Sequence, residues 1–518
     1  MSLDTKNEDG VITGPTIVLD SLTLDEKPKE LEGYRAPQDT EDEKQLARLK
    51  ELYGATWNGP DDPSNPYNWP ASRKVLIGLV FSFSQLVTLM SASIMAAALG
   101  NISHDLNIDS STAQITLSIY FLGLGIGPFF IAALCEMNGR KSIWVISNLW
   151  YVLWNAVCPV GKSKVVMIIG RFLAATGAGA GTILTGPVMA DMYHAEDRGK
   201  SLAIASFLPY LGPALGPIVG GVVVQLVQWP WLFWAVSIFD AFITLMGVFI
   251  IRESYTPVLL RRKAAMQGEQ RTSPTPMTRV YWQDFFSRLA TYLRRPISLL
   301  IRRPVVQVIS LTLGLNFGIY TFMLSTYATL WIDQYGQSAL LSSLHYISFT
   351  IGMGIAAQVG GHLMDIIYRR LRDRPKNKGE SKPEFRAPYM IPGVLMVPAG
   401  LFWYGWSTEY RITWVMVDLG AIIFTCGSAV LAQALQAYTL DIFGELGASA
   451  NAATRLLSNV LGFVFPIFAP QLYSSLGYGW GNSLLAFIFV ILGVPVPLCL
   501  WKWGEKLRPL GKRSNEDD

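Results

Sequence analysis

Twelve apolar runs alternate with short polar segments along most of the chain. Each run is close to the ~20 residues that a helix needs to cross the hydrocarbon core of a bilayer. The first six runs are 75–98, 112–134, 142–160, 165–190, 200–227 and 231–251, and the second six are 304–331, 341–364, 387–406, 412–440, 448–476 and 481–501. This pattern predicts an all-α membrane protein whose twelve transmembrane helices form two six-helix halves.

Basic residues concentrate on one side of this arrangement. Residues 252–304 hold 11 Lys and Arg against three acids, and residues 365–386 hold eight against four. Loops on the opposite side carry only Lys162, Lys164 and Arg411. Because Lys and Arg favour cytoplasmic loops, both termini and the large middle segment are predicted to be cytoplasmic.

Changes in charge and hydropathy divide the chain into five parts. Residues 1–72 are an acidic tail that is predicted to be disordered, since the first 70 residues hold 15 acids and seven bases. The two halves occupy 73–251 and 304–501, and residues 502–518 form a cytoplasmic tail. The linker 252–303 contains apolar residues at helical spacing around Trp282 and Phe286, which predicts an amphipathic helix, either on the inner membrane surface or packed against the protein.

Composition excludes several classes of function. Half of the residues are hydrophobic and 15% are charged, and the net charge of +4 follows from topology rather than from nucleic-acid binding. Cys135, Cys158, Cys426 and Cys499 lie in or beside spans and predict neither a disulfide framework nor a zinc site. No phosphate-binding loop of the Gly-x-x-x-x-Gly-Lys-Ser type and no nucleophile–base set occurs. We therefore expect no metal, no cofactor, no use of ATP and no enzymatic activity.

The fifth span carries a stripe of small residues. Gly212, Gly216 and Gly220 recur every four residues and share one helix face, on which a neighbouring helix can approach closely. Pro213 and Pro217 each remove a backbone donor and bend the helix. The alternative is an ordinary packing face in another kind of membrane protein.

A short motif occurs twice, at the inner ends of spans 2 and 8. Each copy has a small residue, an acid one turn later, and then two bases, at a constant offset of 229 residues. The copies are Ala132, Glu136, Arg140 and Lys141, and Gly361, Asp365, Arg369 and Arg370. Two matching halves are typical of a duplicated transporter.

These and other segments together resemble the major facilitator superfamily, and within it the fungal twelve-span drug:proton antiporters that export drugs or secondary metabolites. The similar segments are 62–69, 136–141, 171–173, 177–181, 212–221, 465–473 and 479–480. Two departures lie in the inner loop, where Ala132 replaces the usual glycine and Met137 the usual arginine. The first span also lacks the carboxylate that some bacterial relatives carry.

The resemblance implies the major facilitator fold, alternating access, and export of small, largely apolar organic compounds in exchange for protons. It implies an antiporter motif at Gly212, Pro213, Gly216, Pro217, Gly220 and Gly221. It also implies a cytoplasmic gate at Glu136, Gly139, Arg140, Lys141, Asp191, Asp365, Arg369 and Arg370.

Charged residues inside spans are costly and usually face a cavity or a partner. Arg171 lies in span 4, Asp240 in span 6 and Asp418 in span 10. The resemblance implies a coupling role for Arg171, and Asp240 is the expected partner in the same half, with a structural hydrogen bond as the alternative. Asp418 is a further candidate for proton coupling, whereas Arg455 in span 11 is expected to anchor at the membrane interface.

Polar and aromatic residues within spans are candidates for a central substrate cavity, although helix packing is the more common role for each of them. They are Gln85, Gln114, Tyr120, Asn148, Phe207, Asn316, Tyr320, Tyr327, His345, Gln358, Gln433 and Gln436. Asn101 begins an Asn-Ile-Ser sequon that is predicted to face outside, where it is a candidate for glycosylation.

The sequence thus predicts a monomeric, proton-coupled exporter of small molecules in the plasma membrane. A polyamine carrier, a location in the vacuolar membrane, and a non-transporting membrane sensor built on the same fold are the alternatives.

Overall fold

The computed structural model describes residues 38–59, 61–193, 208–268, 278–375, 382–443 and 447–510. Within these residues the regular structure is helical throughout, and ten segments are long and apolar enough to cross a membrane. Predicted spans 3 and 11 are not among the ten, but both are helices.

The first half runs from α2 to α9. Its helices are α2 (Ala71–Ser93), α3 (Leu99–Leu106), α4 (Ser110–Asn138), α5 (Arg140–Val157), α6 (Lys164–Ala178), α7 (Ala180–Met192), α8 (Gly212–Leu226) and α9 (Trp231–Ile250). Span 1 is α2 and α3 joined by a 3₁₀ turn at Ile94–Ala98, and span 4 is α6 and α7.

The second half runs from α12 to α20. Its helices are α12 (Pro304–Asp333), α13 (Ala339–Leu344), α14 (Ile347–Ile355), α15 (Gly361–Arg372), α16 (Ala387–Glu409), α17 (Trp414–Phe443), α18 (Gly447–Ile467), α19 (Ala469–Leu492) and α20 (Pro495–Leu507). Span 8 comprises α13, α14, a π-helical turn at Ala356–Gly360, and α15. Spans 11 and 12 are divided at Gly477, whose φ of +72° turns the chain inside α19.

Close approach between helices holds each half together, since the hydrophobic effect does not drive helices to associate within a bilayer. A Cβ at Gly127 of α4 would lie 2.7 Å from Thr176 Cα of α6, and one at Gly400 of α16 would lie 2.7 Å from Phe424 Cα of α17. Only glycine allows the backbones to pack this closely, which is the usual basis of helix association in membranes.

The two halves meet along two pairs of helices. Helix α4 packs along α18, and α8 packs against the short helix α13. Gly125 of α4 faces Asn459 and Leu456 of α18. In the membrane interior the rings of Phe121 and Phe317 make an edge-to-face contact between the halves, with centroids 5.6 Å apart.

The segment before the first span and the linker between the halves add three helices that the span pattern does not contain. They are α1 (Gln38–Tyr53), α10 (Thr256–Met266) and α11 (Arg279–Arg302). The sequence analysis expected no structure before residue 73, but residues 38–53 are strong helix formers and α1 packs on α10.

The segment that precedes the first span is docked on the same linker helix. The Asp62 carboxylate accepts hydrogen bonds from the amides of Asn58 and Ser64, at 2.7 and 2.8 Å, and lies 3.5 Å from Lys263 Nζ. Burial acts to raise the pKa of Asp62, but these hydrogen bonds and the Lys263 charge outweigh it and lower the pKa. The ionised form is therefore the one that holds this contact at neutral pH.

Linker helix α11 uses one apolar face for packing and leaves another exposed. Phe285 and Leu289 are buried against Phe129 and Ala133 of α4. Phe286, like Trp282, is at least half exposed. The packed face agrees with the alternative in which this helix packs against the protein. The exposed face keeps the amphipathic character that the other alternative, binding to the membrane surface, requires.

Candidate functional site

Arg171 lies at the centre of the first half and is fully buried. Its Nη1 donates to the Ser91 carbonyl oxygen at 3.0 Å, and its guanidinium lies 4.3 Å from the centre of the Tyr120 ring. The Ser91 carbonyl is available because the 3₁₀ turn at Ile94–Ala98 interrupts the helical bonding pattern just beyond it. Arg171 Nε and Nη2 have no hydrogen-bond partner among the described residues.

Asp240 lies nearby in α9 and is also buried. Neither of its carboxyl oxygens has a hydrogen-bond partner in the described part of the chain, and no ion pair within 4 Å joins it to Arg171. Tyr120 and Tyr151 belong to the same buried region, and the Tyr151 hydroxyl is hydrogen-bonded to Ser91 Oγ, beside the Ser91 carbonyl that Arg171 contacts. The expected Arg171–Asp240 ion pair is thus not made in this conformation.

Asp418 belongs to a different cluster, in the second half near the start of α17. Its Oδ2 lies 2.8 Å from His345 Nδ1, and its Oδ1 accepts a 2.6 Å hydrogen bond from the Tyr327 hydroxyl. His345 Nε2 lies 3.1 Å from Gln337 Oε1, and the His345 ring stacks on Trp331 with centroids 3.7 Å apart. The structure therefore joins Asp418, a candidate for proton coupling, to His345 and Tyr327, which were both candidates for the substrate cavity.

The glycine stripe of α8 packs on α2. A Cβ at Gly216 would lie 2.5 Å from the Met90 carbonyl oxygen, and one at Gly212 would lie 2.6 Å from Leu89 Cβ. Gly220 likewise lies against Ile94, at the start of the 3₁₀ turn. Gly221 faces the other half, where a Cβ would lie 2.7 Å from the Ala339 carbonyl oxygen in α13.

The predicted gate residues of the first half form one network. Arg140 Nε lies 3.3 Å from Asp191 Oδ2, and the guanidinium of Arg140 lies over the Tyr255 ring at 4.1 Å. Glu136 forms a 3.2 Å ion pair with Arg288 of linker helix α11 and accepts a hydrogen bond from Tyr292. Lys141 Nζ donates to the Val248 carbonyl oxygen at 2.7 Å.

Glu253 joins this network and was not predicted. Its carboxylate accepts hydrogen bonds from the amides of Arg140 at 2.8 Å and Lys141 at 3.2 Å, and therefore caps the N-terminus of α5. A Cβ at Gly139, which has a φ of +93°, would collide with Glu253. The sequence offers one signal for this role, an acidic residue just after span 6. Its partners, Gly139 and Arg140, lie far away in the chain, so the contact could not be predicted.

The second copy of the motif behaves differently. Asp365, Arg369 and Arg370 are exposed on α15, and none of them forms an ion pair within the described ranges. Arg386, just before α16, instead forms a 2.5 Å ion pair with Asp441 near the end of α17. This pair joins span 9 to span 10 as Arg140–Asp191 joins span 3 to span 4, so Arg386 is the structural counterpart of Arg140.

Most of the candidate cavity residues bond within one half. Gln85 Nε2 donates to Thr185 Oγ1 at 2.9 Å, Asn148 accepts from Ser84, and Asn316 Nδ2 donates to the Ser428 carbonyl oxygen. Gln114 is buried, and its Oε1 has no partner among the described residues. Gln433 and Gln436 are half-buried, Gln358 is exposed, and Phe207 lies outside the described residues.

Aromatic rings, rather than these amides, occupy the boundary between the halves. Phe317 stacks on Tyr320 with centroids 6.0 Å apart, and Tyr320 contacts Phe349 at 5.9 Å. With Phe121 from the first half, these residues form what we call the aromatic cluster. Of the four, the sequence analysis named Tyr320 and chose Tyr120 rather than its neighbour Phe121, because helix rotation cannot be read from one residue.

Two further predicted positions are exposed. Asn101 lines an outer surface cavity of about 350 Å³ together with Asp105, Lys162 and Trp229. Arg455 is exposed and makes no ion pair in the described part of α18.

Comparison with known proteins agrees with this architecture. Residues 81–466 match the description of the Major Facilitator Superfamily. The chain is 38% identical over 419 residues to the probable efflux pump mfs2 of Aspergillus flavus, covering 80% of this chain and 98% of that protein. It is 35% identical over 461 residues to the efflux pump vrtL of Penicillium aethiopicum, covering 89% and 91%.

Solved structures show the same fold at low identity. A D-xylose–proton symporter aligns with a TM-score of 0.61 and 17% identity, covering 82% of this chain and 97% of that one. The twelve-helix, two-half architecture predicted from the apolar runs is confirmed, as is the assignment to a transporter rather than an enzyme. The chain is a multi-pass membrane transporter and belongs to the Major Facilitator Superfamily.

Proposed function

We propose that the protein exports small, largely apolar organic compounds, such as drugs, toxins or fungal secondary metabolites, in exchange for protons at the plasma membrane. The observation that carries proton coupling is Asp240, a buried carboxyl whose two oxygens have no donor among the described residues. An ionised carboxylate in such a place is costly, so this site favours the neutral, protonated form. Arg171 supplies a fixed positive charge in the same half.

The aromatic cluster supports an apolar substrate. Phe121, Phe317, Tyr320 and Phe349 offer flat, apolar surfaces at the boundary between the halves, where alternating access opens and closes a path. Export is supported by the efflux pumps among the similar proteins.

In the proposed cycle, Asp240 takes a proton from outside when the halves open outward and the substrate leaves. It releases that proton inside when the halves rock back and new substrate enters. Arg171 remains charged throughout, because guanidinium does not deprotonate in proteins.

Purified protein in liposomes tests this proposal. A fluorescent apolar dye inside the vesicles should leave faster when the outer solution is more acidic, and a protonophore should abolish the acceleration. Transport that follows ATP, or that is unaffected by collapse of the proton gradient, would contradict proton exchange. Spermidine in place of the dye tests the polyamine alternative in the same vesicles.

A further inference from the structure

We propose that His345 and Asp418 form a proton-binding site that holds the outer gate closed. The outer gate is defined here as the contact of α13 with α8. The two side chains are 12% and 15% exposed, and they lie within the first turns of spans 8 and 10, at the ends that the sequence predicts to face outside. The proposal rests on the proposed function only for its place in a transport cycle.

The hydrogen bonds of the pair require one more proton than its unprotonated form contains. Gln337 Oε1 only accepts, so His345 Nε2 carries the hydrogen of that contact. An ionised carboxylate also only accepts, and the hydroxyl hydrogen of Tyr327 is used toward Oδ1 of Asp418. The 2.8 Å contact between Nδ1 and Oδ2 therefore holds a further proton, carried on one atom or the other.

Loss of that proton weakens the arrangement, because a neutral imidazole has one hydrogen for the two acceptors that face it, Asp418 Oδ2 and Gln337 Oε1. The proton comes from external hydronium when the pair forms and returns to external water when it separates. The balance therefore needs no other reactant.

The position of His345 links this event to the gate. His345 follows α13 directly, and Ser343 and Ala339 of α13 lie against Gly221 of the first half. Asp418 belongs to α17, which packs behind α14 within the second half. The protonated pair thus fixes the end of α13 against its own half, in the position where α13 contacts α8.

Several side chains from neighbouring elements surround the pair. The other titratable or charged groups around it are Tyr327 from α12, Tyr346 beside α14, Tyr404 from α16, and Tyr335 and Arg411 at the outer rim. Free tyrosine and arginine titrate well above neutrality, at about pH 10 and above about pH 12. Helix α8, on the opposite side of the gate, contains no titratable residue.

Cysteine labelling on intact cells tests the proposal. Ser343→Cys places a gate thiol in the buried contact, and Tyr410→Cys provides a reference thiol at an outer side chain that is 72% exposed. Both variants are treated with a membrane-impermeant maleimide between external pH of about 5.5 and 7.5, a range that spans the titration of histidine. The labelling rate of the reference thiol corrects for thiol ionisation and surface expression. We expect the corrected rate of the gate thiol to rise about tenfold over this range, since one linked proton changes an equilibrium by up to about tenfold per pH unit.

Two further substitutions, each combined with Ser343→Cys, should move the result in opposite directions. Asp418→Asn supplies an amide hydrogen to Nδ1 permanently, so labelling should stay slow at every pH. His345→Ala removes the contact, so labelling should be fast at every pH. His104→Gln, a matched change at an exposed outer histidine of the first half, should keep the parent profile.

A flat profile in the parent protein, or a parent-like profile in both Asp418→Asn and His345→Ala, would overturn the proposal. Liposome efflux that still follows the proton gradient in that case would leave the proposed function standing. Efflux that ignores the gradient while the labelling profile is as expected would instead remove proton exchange and keep the gate site.

Discussion

At the scale of single residues, the most consequential position is one that lacks partners. Asp240 is buried beside Tyr120 and Tyr151, yet no donor reaches its oxygens within the described residues. Nearly all buried polar groups in native structures have a hydrogen-bond partner, and each exception calls for an explanation such as a functional role. Arg171, with two of its three nitrogens in the same situation, is the complementary exception.

We predict that Asp240→Asn uncouples transport from protons. The amide reproduces the neutral carboxyl in shape but cannot release a proton, so substrate binding should persist while efflux loses its dependence on external pH. Arg171→Ala should abolish active efflux, because it removes the fixed charge from the same buried region.

The measurement is dye efflux from cells against external pH, with surface expression checked for each variant. Thr244→Val is the matched control, since it alters a buried polar residue one turn away on the same helix without removing a titratable group. An Asp240→Asn protein with the parent pH profile would exclude Asp240 from coupling.

A second prediction at this scale concerns Glu253. Its charge-assisted bonds to the N-terminus of α5 lie in a buried setting, and hydrogen bonds to charged groups contribute about 1.5–3 kcal/mol. Glu253→Gln should therefore lower the apparent Tm of the detergent-solubilised protein by several degrees. Glu51→Gln, at an exposed position of α1, should leave the Tm unchanged. An equal effect of both substitutions would show that Glu253 has no special role.

At the scale of elements, the glycine stripe shows how a helix face determines a distance. Gly212, Gly216 and Gly220 bring α8 against α2 where α2 gives way to the 3₁₀ turn. The stripe thus supports the same kink that presents the Ser91 carbonyl to Arg171.

We expect Gly216→Leu to insert normally into the membrane but to lose efflux. Its side chain would collide with Met90 and Ser93 and displace the kink. Overpacking of this kind costs about 1–3 kcal/mol or more. Val222→Leu, on an exposed face of the same helix, is the control and should transport normally. Full efflux by Gly216→Leu, measured at equal expression, would mean that the two helices separate without consequence.

Elements were easier to predict from the sequence than the contacts between them. Apolar length alone locates the spans, because the bilayer sets one dimension for all of them. Helix rotation was not predictable, which is why Phe121 was missed beside Tyr120. The repeat at Asp365, Arg369 and Arg370 was correctly found as a pattern, but a longer loop before α16 gives the role of Arg140 to Arg386. A constant sequence offset ignores differences in loop length, and here the loop length determines which arginine forms the ion pair.

At the scale of the whole molecule, two equivalent ion pairs join the inner ends of neighbouring spans. Arg140–Asp191 serves the first half and Arg386–Asp441 the second. The first pair is further joined to the linker network through Ser254, which donates to Asp191 at 3.1 Å. The halves therefore share a symmetric element and differ in what surrounds it.

We predict that Arg386→Asp and Asp441→Arg each reduce efflux severalfold and that the double exchange restores much of it. Opposite charges would again meet at the same place, whereas each single change creates like charges in contact. Efflux rates at matched surface expression give the answer. Exchange of the more exposed pair Lys382 and Glu505 should have little effect singly or together, because exposed pairs contribute ~0–1 kcal/mol. Failure of the double exchange to recover would mean that the residues act separately.

The docking of both linker helices has a consequence for the chain as a polymer. Helix α10 is attached to the first half through Lys263 and Asp62, and α11 is attached through Arg288 and Glu136. The covalent connection between residues 268 and 278 therefore contributes little to holding α10 and α11 together. If the gene is divided at this point, the two polypeptides should associate in the membrane. The transporter would then assemble without a covalent junction between its duplicated halves.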